Sequence, residues 1–431
     1  MRKQDRVNES PGMSRRDFLK TSAASAVIVG AGTLPFASGV FAAGSDEFRV
    51  GVIGCGGRGT GAAIDCIKSA PGVKIVALGD LFQDRVEGSR DRLTTNDEVK
   101  ANVDVPKDRC FWGFDNYQRV LECDINMVIL AAPPGFRPAH VKAAVEAGKH
   151  VFMEKPVAVD APGVKAILEA GELAKQKKLG IVTGTIKRHQ ANYVATVKRI
   201  HDGAVGEIIS AQCYYNTGEL WNHGRQPEWT DMEWQCRNWL YFTWLSGDHI
   251  VEQHIHNLDV INWAMNSHPV KCVGIGGRQV RTDPAFGHIF DHFTVEYEYP
   301  NSARLMSMCR QTDNCANNVS ERVIGTKGSS NCCGLIQGAS AWKFEGDVPG
   351  PYVQEHTDLI TSIREGKPLN EARQIAESSL TAIMGRMSAY TGQEVTWEQA
   401  MNSQENLMPE KLEFGPFPVA PVAVPGKTQF I

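Results

Sequence analysis

Two stretches of this sequence place proton-handling side chains beside residues that fix the backbone. The first is Glu154-Lys155-Pro156, which ends the apolar run His150 to Met153. An ammonium held at the end of a strand can donate a hydrogen bond to the oxygen of a secondary alcohol and so lower the pKa of that hydroxyl. The second runs Gly247-Asp248-His249-Ile250-Val251-Glu252-Gln253-His254-Ile255-His256-Asn257-Leu258-Asp259. Glu252, His256 and Asp259 fall at i, i+4 and i+7, a spacing that predicts one face of a helix. Imidazole titrates near neutrality, so His256 with a carboxylate four residues earlier is a candidate acid/base pair. Three imidazoles and Glu252 within His249 to His256 also have the types of a metal cluster. No downstream His or Cys pair has convincing ligand spacing, however, and His249 and His256 lie two turns apart, so no metal is expected. His254 and His268, taken singly, are expected to be packed or surface histidines. A lone Glu-Lys dipeptide is ordinarily a solvated pair; the weight on Lys155 comes from its position at the end of a strand.

A third stretch explains why that position matters. Gly54-Cys55-Gly56-Gly57-Arg58-Gly59 follows the short apolar run Phe48 to Ile53 and opens a helical stretch, Thr60 to Ser69. An acidic residue stands about 20 positions further on, Asp80, at the end of the next apolar run, Val73 to Leu78. In this context the glycines permit a tight turn, a close approach of backbone to a pyrophosphate, and close packing of helix on strand. The amides that open the helix receive the anion. Asp80 accepts hydrogen bonds from an adenosine ribose and repels a 2′-phosphate, so NAD is the expected cofactor. Arg58 keeps NADP open, because a guanidinium in that loop would neutralise such a phosphate. The expected cofactor-binding set is Gly54, Cys55, Gly56, Gly57, Arg58, Gly59, Asp80, Pro133, His140, Glu154 and Lys155.

These residues need a scaffold that gathers strand ends. Apolar runs at 125–131, 150–153 and 180–183 alternate with helical stretches at 138–147 and 161–178, which predicts a parallel sheet with helices on both faces. After about residue 190 the pattern changes to two-residue alternation, in 208–215, 270–276, 293–299 and 303–309, with helices at 246–265, 352–365 and 371–390. The expected fold is therefore α/β: an N-terminal Rossmann dinucleotide-binding domain (47–188), then a C-terminal α+β domain (189–405) with a large open, mostly antiparallel sheet. The proline-bearing tail, 406–431, is expected to be extended and packed on the surface or on a neighbouring subunit. Thr185 to His189 follows the last parallel strand, so Arg188, His189 and Asn192 are expected substrate-binding residues, with Asp259 of the predicted helix face as a fourth. Trp221, Trp229, Trp234, Trp239 and Trp244 crowd one segment. They either line a saccharide site or bury a long connecting loop.

The 431 residues hold 42% hydrophobic and 22% charged side chains, ordinary for a globular chain of two or three domains. A formal charge of -4 gives no footprint for nucleic acid. Eleven cysteines without a CxxC pair argue against a disulfide framework or a zinc ribbon. Ser14-Arg15-Arg16-Asp17-Phe18-Leu19-Lys20 is a twin-arginine pattern, followed by an apolar stretch to Val40 and by Val40-Phe41-Ala42, whose Val40 and Ala42 are small residues at the two positions a signal peptidase reads. Residues 1–42 are therefore expected to be a cleaved signal engaging the twin-arginine translocase, with no stable membrane anchor and a periplasmic destination. Removing them leaves a net charge of -7.

Taken together, GCGGRG with Asp80, Glu154-Lys155-Pro156, and Glu252/His256/Asp259 resemble the glucose–fructose oxidoreductase/inositol dehydrogenase/rhizopine catabolism (Gfo/Idh/MocA) family over about residues 47 to 400. The resemblance implies NAD(P)-dependent oxidation or reduction of one carbinol of a sugar, cyclitol or related polyol. It also implies a homo-oligomer built on the open sheet face. In that family the lysine assists proton transfer and a histidine preceded four residues earlier by aspartate is the acid/base. Those roles carry onto Lys155 and His256, with Glu252 in the aspartate's place and His254 where a glycine often stands. A related branch hydrolyses glycosides by oxidising, eliminating and re-reducing with one cofactor, but departs from the EKP lysine motif. A non-catalytic sugar-binding protein would leave Lys155 and His256 idle.

Overall fold

The computed structural model describes residues 47–431. The twin-arginine pattern, its cleavage site and the residues just after it lie outside them.

Among the described residues, six strands form one parallel sheet: β1 (Phe48–Ile53), β2 (Val73–Asp80), β3 (Cys110–Trp112), β4 (Met127–Leu130), β5 (His150–Met153) and β6 (Ile181–Thr183). Their spatial order is β3-β2-β1-β4-β5-β6, so the chain reverses direction between β1 and β4. That switch point is where open α/β sheets bind ligands. Side chains leave alternate faces of a strand. Val50, Val52, Met127, Ile129 and Phe152 therefore enter one helical layer, while Ile53, Val128, Leu130, Val151 and Met153 enter the other. Each such fully buried aliphatic side chain contributes roughly 1.5–3 kcal/mol. This two-sided burial is why the strands read as continuous apolar runs.

The second sheet has nine strands: β7 (Ile208–Thr217), β8 (Lys271–Gly277), β9 (His292–Glu298), β10 (Arg304–Gln311), β11 (Asn318–Gly325), β12 (Gly328–Ser330), β13 (Leu335–Gly338), β14 (Trp342–Lys343) and β15 (Val395–Thr396). It is antiparallel except where β7 and β10 run side by side in parallel at its centre. One face packs on the long helix Ala372–Thr391, with Phe293, Val295, Tyr297 and Leu305 in the core. The other face presents Val273, Ile275, Met306, Met308 and Val319 as exposed apolar side chains.

Two elements depart from the expected pattern. The helix expected over 246–265 is broken into His249–Glu252 and Ile255–Met265. The break falls where the His254 side chain drops into the core, its Nε2 2.7 Å from Ser307 Oγ, and its amide bonds back to the His249 carbonyl at 3.1 Å. Helix Pro351–Arg364 returns to the first sheet, burying Leu359, Ile360 and Ile363 beside Phe48 and Ile67. The tail from 406 lies along this chain's own surface: the Leu407 amide donates to Asp160 at 2.9 Å and the Gln235 side-chain amide to the Phe417 carbonyl at 2.6 Å.

Candidate active site

β1 runs into the glycine loop, and the loop's shape explains its composition. Gly54 sits at φ +96°, and a Cβ there would meet the Ala132 amide nitrogen at 2.3 Å. A Cβ on Gly59 would lie 1.7 Å from the Gly54 carbonyl oxygen; only glycine lets helix Gly57–Ser69 sit this close to the strand end. By contrast, Cβ positions on Gly56 and Gly57 face open space, so nothing of the protein occupies the volume in front of the helix's first amides. Asp80, closing β2, accepts from the Cys55 amide at 2.6 Å and the Phe82 amide at 3.0 Å. Burial raises its pKa above the ordinary carboxylate value, with those two amides pulling the other way.

These groups border a cavity of about 500 Å³, walled also by Ala131, Pro133, Phe136 and His140. His140 stacks on Tyr117 with ring centroids 4.5 Å apart, and burial with the nearby Arg137 cation pulls it down to about 3, so it stays uncharged. An open volume before helix amides, a carboxylate at the end of β2 and apolar walls fit a dinucleotide. Arg58 also walls this cavity, but it is already paired. Its guanidinium is drawn to Glu154, to Glu355 at 3.0 Å and to Asp65 at 3.3 Å. Asp80→Ser is therefore expected to weaken NAD binding and to narrow the NAD/NADP preference, measured as the ratio of the two KM values. An unchanged ratio would assign selectivity to Arg85 and Arg237, the other cations in the cavity wall.

A second cavity, of about 290 Å³, shares Arg58, Ala131, Ala132 and Trp239 with the first. Lys155, Glu252 and His256 meet there. Lys155 Nζ donates to the Glu252 carbonyl at 2.5 Å and to Glu252 Oε1 at 2.8 Å. Glu252 ends the short helix that Asp248 begins. Asp248 is held at φ +74° in the left-handed region by hydrogen bonds from the His249 and Phe290 amides and the Tyr390 hydroxyl. His256 opens the next helix, so it and Glu252 converge from two elements rather than from one face. Burial, with the Lys155 and Lys187 cations, holds His256 well below its ordinary pKa. Glu154 lines this cavity and is fixed by Arg58.

The four residues expected to bind substrate lie elsewhere. Arg188 and Asp259 form a two-point ion pair at 2.8 and 2.9 Å, and Ser378 donates to Asp259 at 2.7 Å. Asn192 donates to Cys333 Sγ at 3.1 Å. His189 is buried between Asp358 at 2.6 Å and Glu371 at 3.4 Å. None of the four is in the walls of either cavity, and for Arg188, Asp259 and His189 the reason is charge pairing in the interior, which spacing does not reveal. Those carboxylates overcome burial and raise His189 to about 10, above an unfolded value of roughly 6.5. Its stabilisation is fully present below the unfolded value and is lost as pH rises through about 10. The wild type is thus expected to lose more stability than His189→Gln between neutral pH and that point, measured by urea unfolding. Parallel losses would remove the charged imidazole from the interior.

Side chains that spacing did not single out complete the smaller cavity: Tyr215, Gln253 and Tyr352 with Arg137. Tyr215 comes from the central strand of the second sheet and Tyr352 from the returning helix, so no local motif marks them. Trp221 and Trp239 wall the larger cavity, while Trp234 and Trp244 are buried in a satellite core with Phe136 and Phe242. Among the described residues no group of three or more His, Cys, Asp or Glu is placed to hold a metal. No helix there is long and apolar enough to cross a membrane.

Comparisons with known proteins agree with the two-sheet fold. Residues 48–184 match the family model described as an oxidoreductase family with an NAD-binding Rossmann fold. Residues 193–331 match the GFO/IDH/MocA C-terminal domain. The chain is 29% identical over 218 residues to an inositol 2-dehydrogenase/D-chiro-inositol 3-dehydrogenase of Halalkalibacterium halodurans, covering 51% of this chain and 53% of that one. It is 30% identical over 228 residues to a glycosyl hydrolase family 109 protein of Streptomyces coelicolor, covering 48% and 46%. The matches thus span about half the length of these two relatives. In fold it is similar to the crystal structure of aldose-aldose oxidoreductase from Caulobacter crescentus complexed with glycerol, with a TM-score of 0.62, 18% identity, and 81% and 99% of the two chains covered.

Proposed function

Because this chain belongs to the GFO/IDH/MocA oxidoreductase family, we propose that it transfers hydride between a nicotinamide dinucleotide and one secondary carbinol of a sugar, glycoside or cyclitol. The observation that carries this reading is the meeting of Lys155, Glu252 and His256 in a cavity that shares walls with the glycine-loop cavity. The dinucleotide, when bound, supplies the hydride acceptor. Glu252 takes two of the three ammonium hydrogens of Lys155, which leaves the third for the substrate oxygen. His256, held uncharged at neutral pH, accepts the hydroxyl proton while the C–H pair leaves carbon and the carbinol becomes a ketone. Reduction of a ketone retraces these steps. Gln253, Tyr215 and Tyr352 offer an amide and two phenols to the remaining ring hydroxyls.

The twin-arginine pattern supports export of the folded protein. Outside the cytoplasm no NAD pool is maintained, so the cofactor stays bound while one substrate is oxidised and the next reduced. The apolar outer face of the second sheet, with Ile275 70% exposed, supports a homo-oligomer. A second reading, a glycosidase that oxidises and re-reduces the same sugar, is supported by the Streptomyces coelicolor relative. Protein purified from the periplasm is expected to carry near-stoichiometric nicotinamide through gel filtration and to convert sugars or cyclitols without added NAD. Release of an aglycone with no oxidised product would favour the glycosidase. Empty protein that needs added cofactor would sink the closed cycle.

A further inference from the structure

The outer half of the larger cavity is built by parts of the chain far from the glycine loop. Phe82 and Phe114 stand on the Rossmann side, and Trp221, His223, Arg237 and Trp239 come from the tryptophan-rich segment. That segment is fastened to the first domain at Arg237. Its guanidinium lies 3.8 Å from the Phe82 ring centroid, pairs with both Asp84 oxygens at 3.2 and 3.3 Å, and is braced by Glu233 at 3.0 Å.

The tail then fastens both. The Phe414 ring stacks on Phe82 at 5.9 Å and tilts against Phe114 at 5.1 Å. The Met232 amide donates to the Gly415 carbonyl at 3.2 Å. Phe417 meets Trp244 edge-on at 5.6 Å, and its amide donates to Asp231 at 3.1 Å. Phe82, Phe136, Trp234, Trp244 and Phe417 thereby share one small hydrophobic core. This core joins the cavity wall to the tail and is separate from the cores that hold the two sheets.

We infer that the tryptophan-rich segment and the tail around Phe414 form a clasp over the outer half of the dinucleotide site and set the rate at which the dinucleotide leaves. The inference rests on the cofactor reading above. It adds a physical means of retention, because a ligand behind Trp221 and Trp239 departs only when the segment lifts, and the segment lifts only when Phe414 and Arg237 let go. The two fastenings are on the surface side: Phe414 is 43% exposed and the Asp84 side chain 60% exposed. They can therefore be removed without opening a core cavity.

The test uses the full-length mature protein loaded with NADH. Release is followed by the decay of energy transfer from tryptophan to NADH after mixing with excess NAD, in the wild type, Phe414→Ala and Asp84→Asn. Release about tenfold faster in each variant, with unchanged thermal midpoints for the unloaded proteins, supports the clasp. Wild type that binds NADH while both variants release it at the wild-type rate overturns the clasp and leaves the cofactor reading standing. Wild type that takes up neither NADH nor NADPH overturns the cofactor reading and the clasp with it.

Discussion

Lys155→Met is expected to lower kcat by on the order of 100-fold or more while leaving the bound nicotinamide and the fold in place. Lys155 contacts Glu252 from both the carbonyl and the carboxylate side, so the variant loses the one ammonium directed at the substrate oxygen. The apolar replacement keeps much of the side-chain volume, but it leaves the buried Glu252 carboxylate without that partner, and Gln253 at 2.6 Å is the donor that remains. His256→Ala is expected to match it in size, because no other imidazole lines the smaller cavity. The two losses should not multiply in the double variant, since both residues serve one proton transfer. Single-turnover measurement of hydride transfer, with nicotinamide content read on the same sample, checks this. Wild-type rates in either variant would remove that residue from the mechanism.

Asp259→Ala is the second large expected effect, and it falls on stability rather than chemistry. The Arg188 and Asp259 side chains are 11% and 2% exposed, with Trp263 beneath the guanidinium at 5.1 Å. Removing the carboxylate strands a buried guanidinium, which costs about 3–5 kcal/mol. Replacing both partners together, Arg188→Met with Asp259→Leu, is expected to recover most of that loss, because no uncompensated charge is left. Urea unfolding of the three variants measures the stability change, and the substrate KM of whatever folds measures any role in recognition. A stable Asp259→Ala protein with a much raised KM would return both residues to the substrate site, where the place of Arg188 after the last parallel strand and the spacing of Asp259 from His256 suggested they belonged.

The alternation of apolar runs with helical stretches determined the Rossmann half, and GCGGRG with Asp80 determined where a dinucleotide would sit. Both are local: a strand, a turn and the start of a helix interact with residues a few positions away, so their composition carries the geometry. Glu154-Lys155-Pro156 was legible for the same reason, as the end of a strand. The helix carrying Glu252, His256 and Asp259 was only partly so. Its spacing predicted one face, yet the helix breaks beside His254, which is buried against Ser307, and only Glu252 and His256 reach the same cavity. Glu252 turns to Lys155, His256 to the cavity, and Asp259 to Arg188. Likewise nothing near Arg58 announces Glu355, nor anything near Phe82 the tail residue Phe414. Ion pairs and aromatic contacts between distant segments form only once two sheets and a returning helix have packed, and the low dielectric of that packed interior then decides which charges must pair with each other and which are left to meet a substrate.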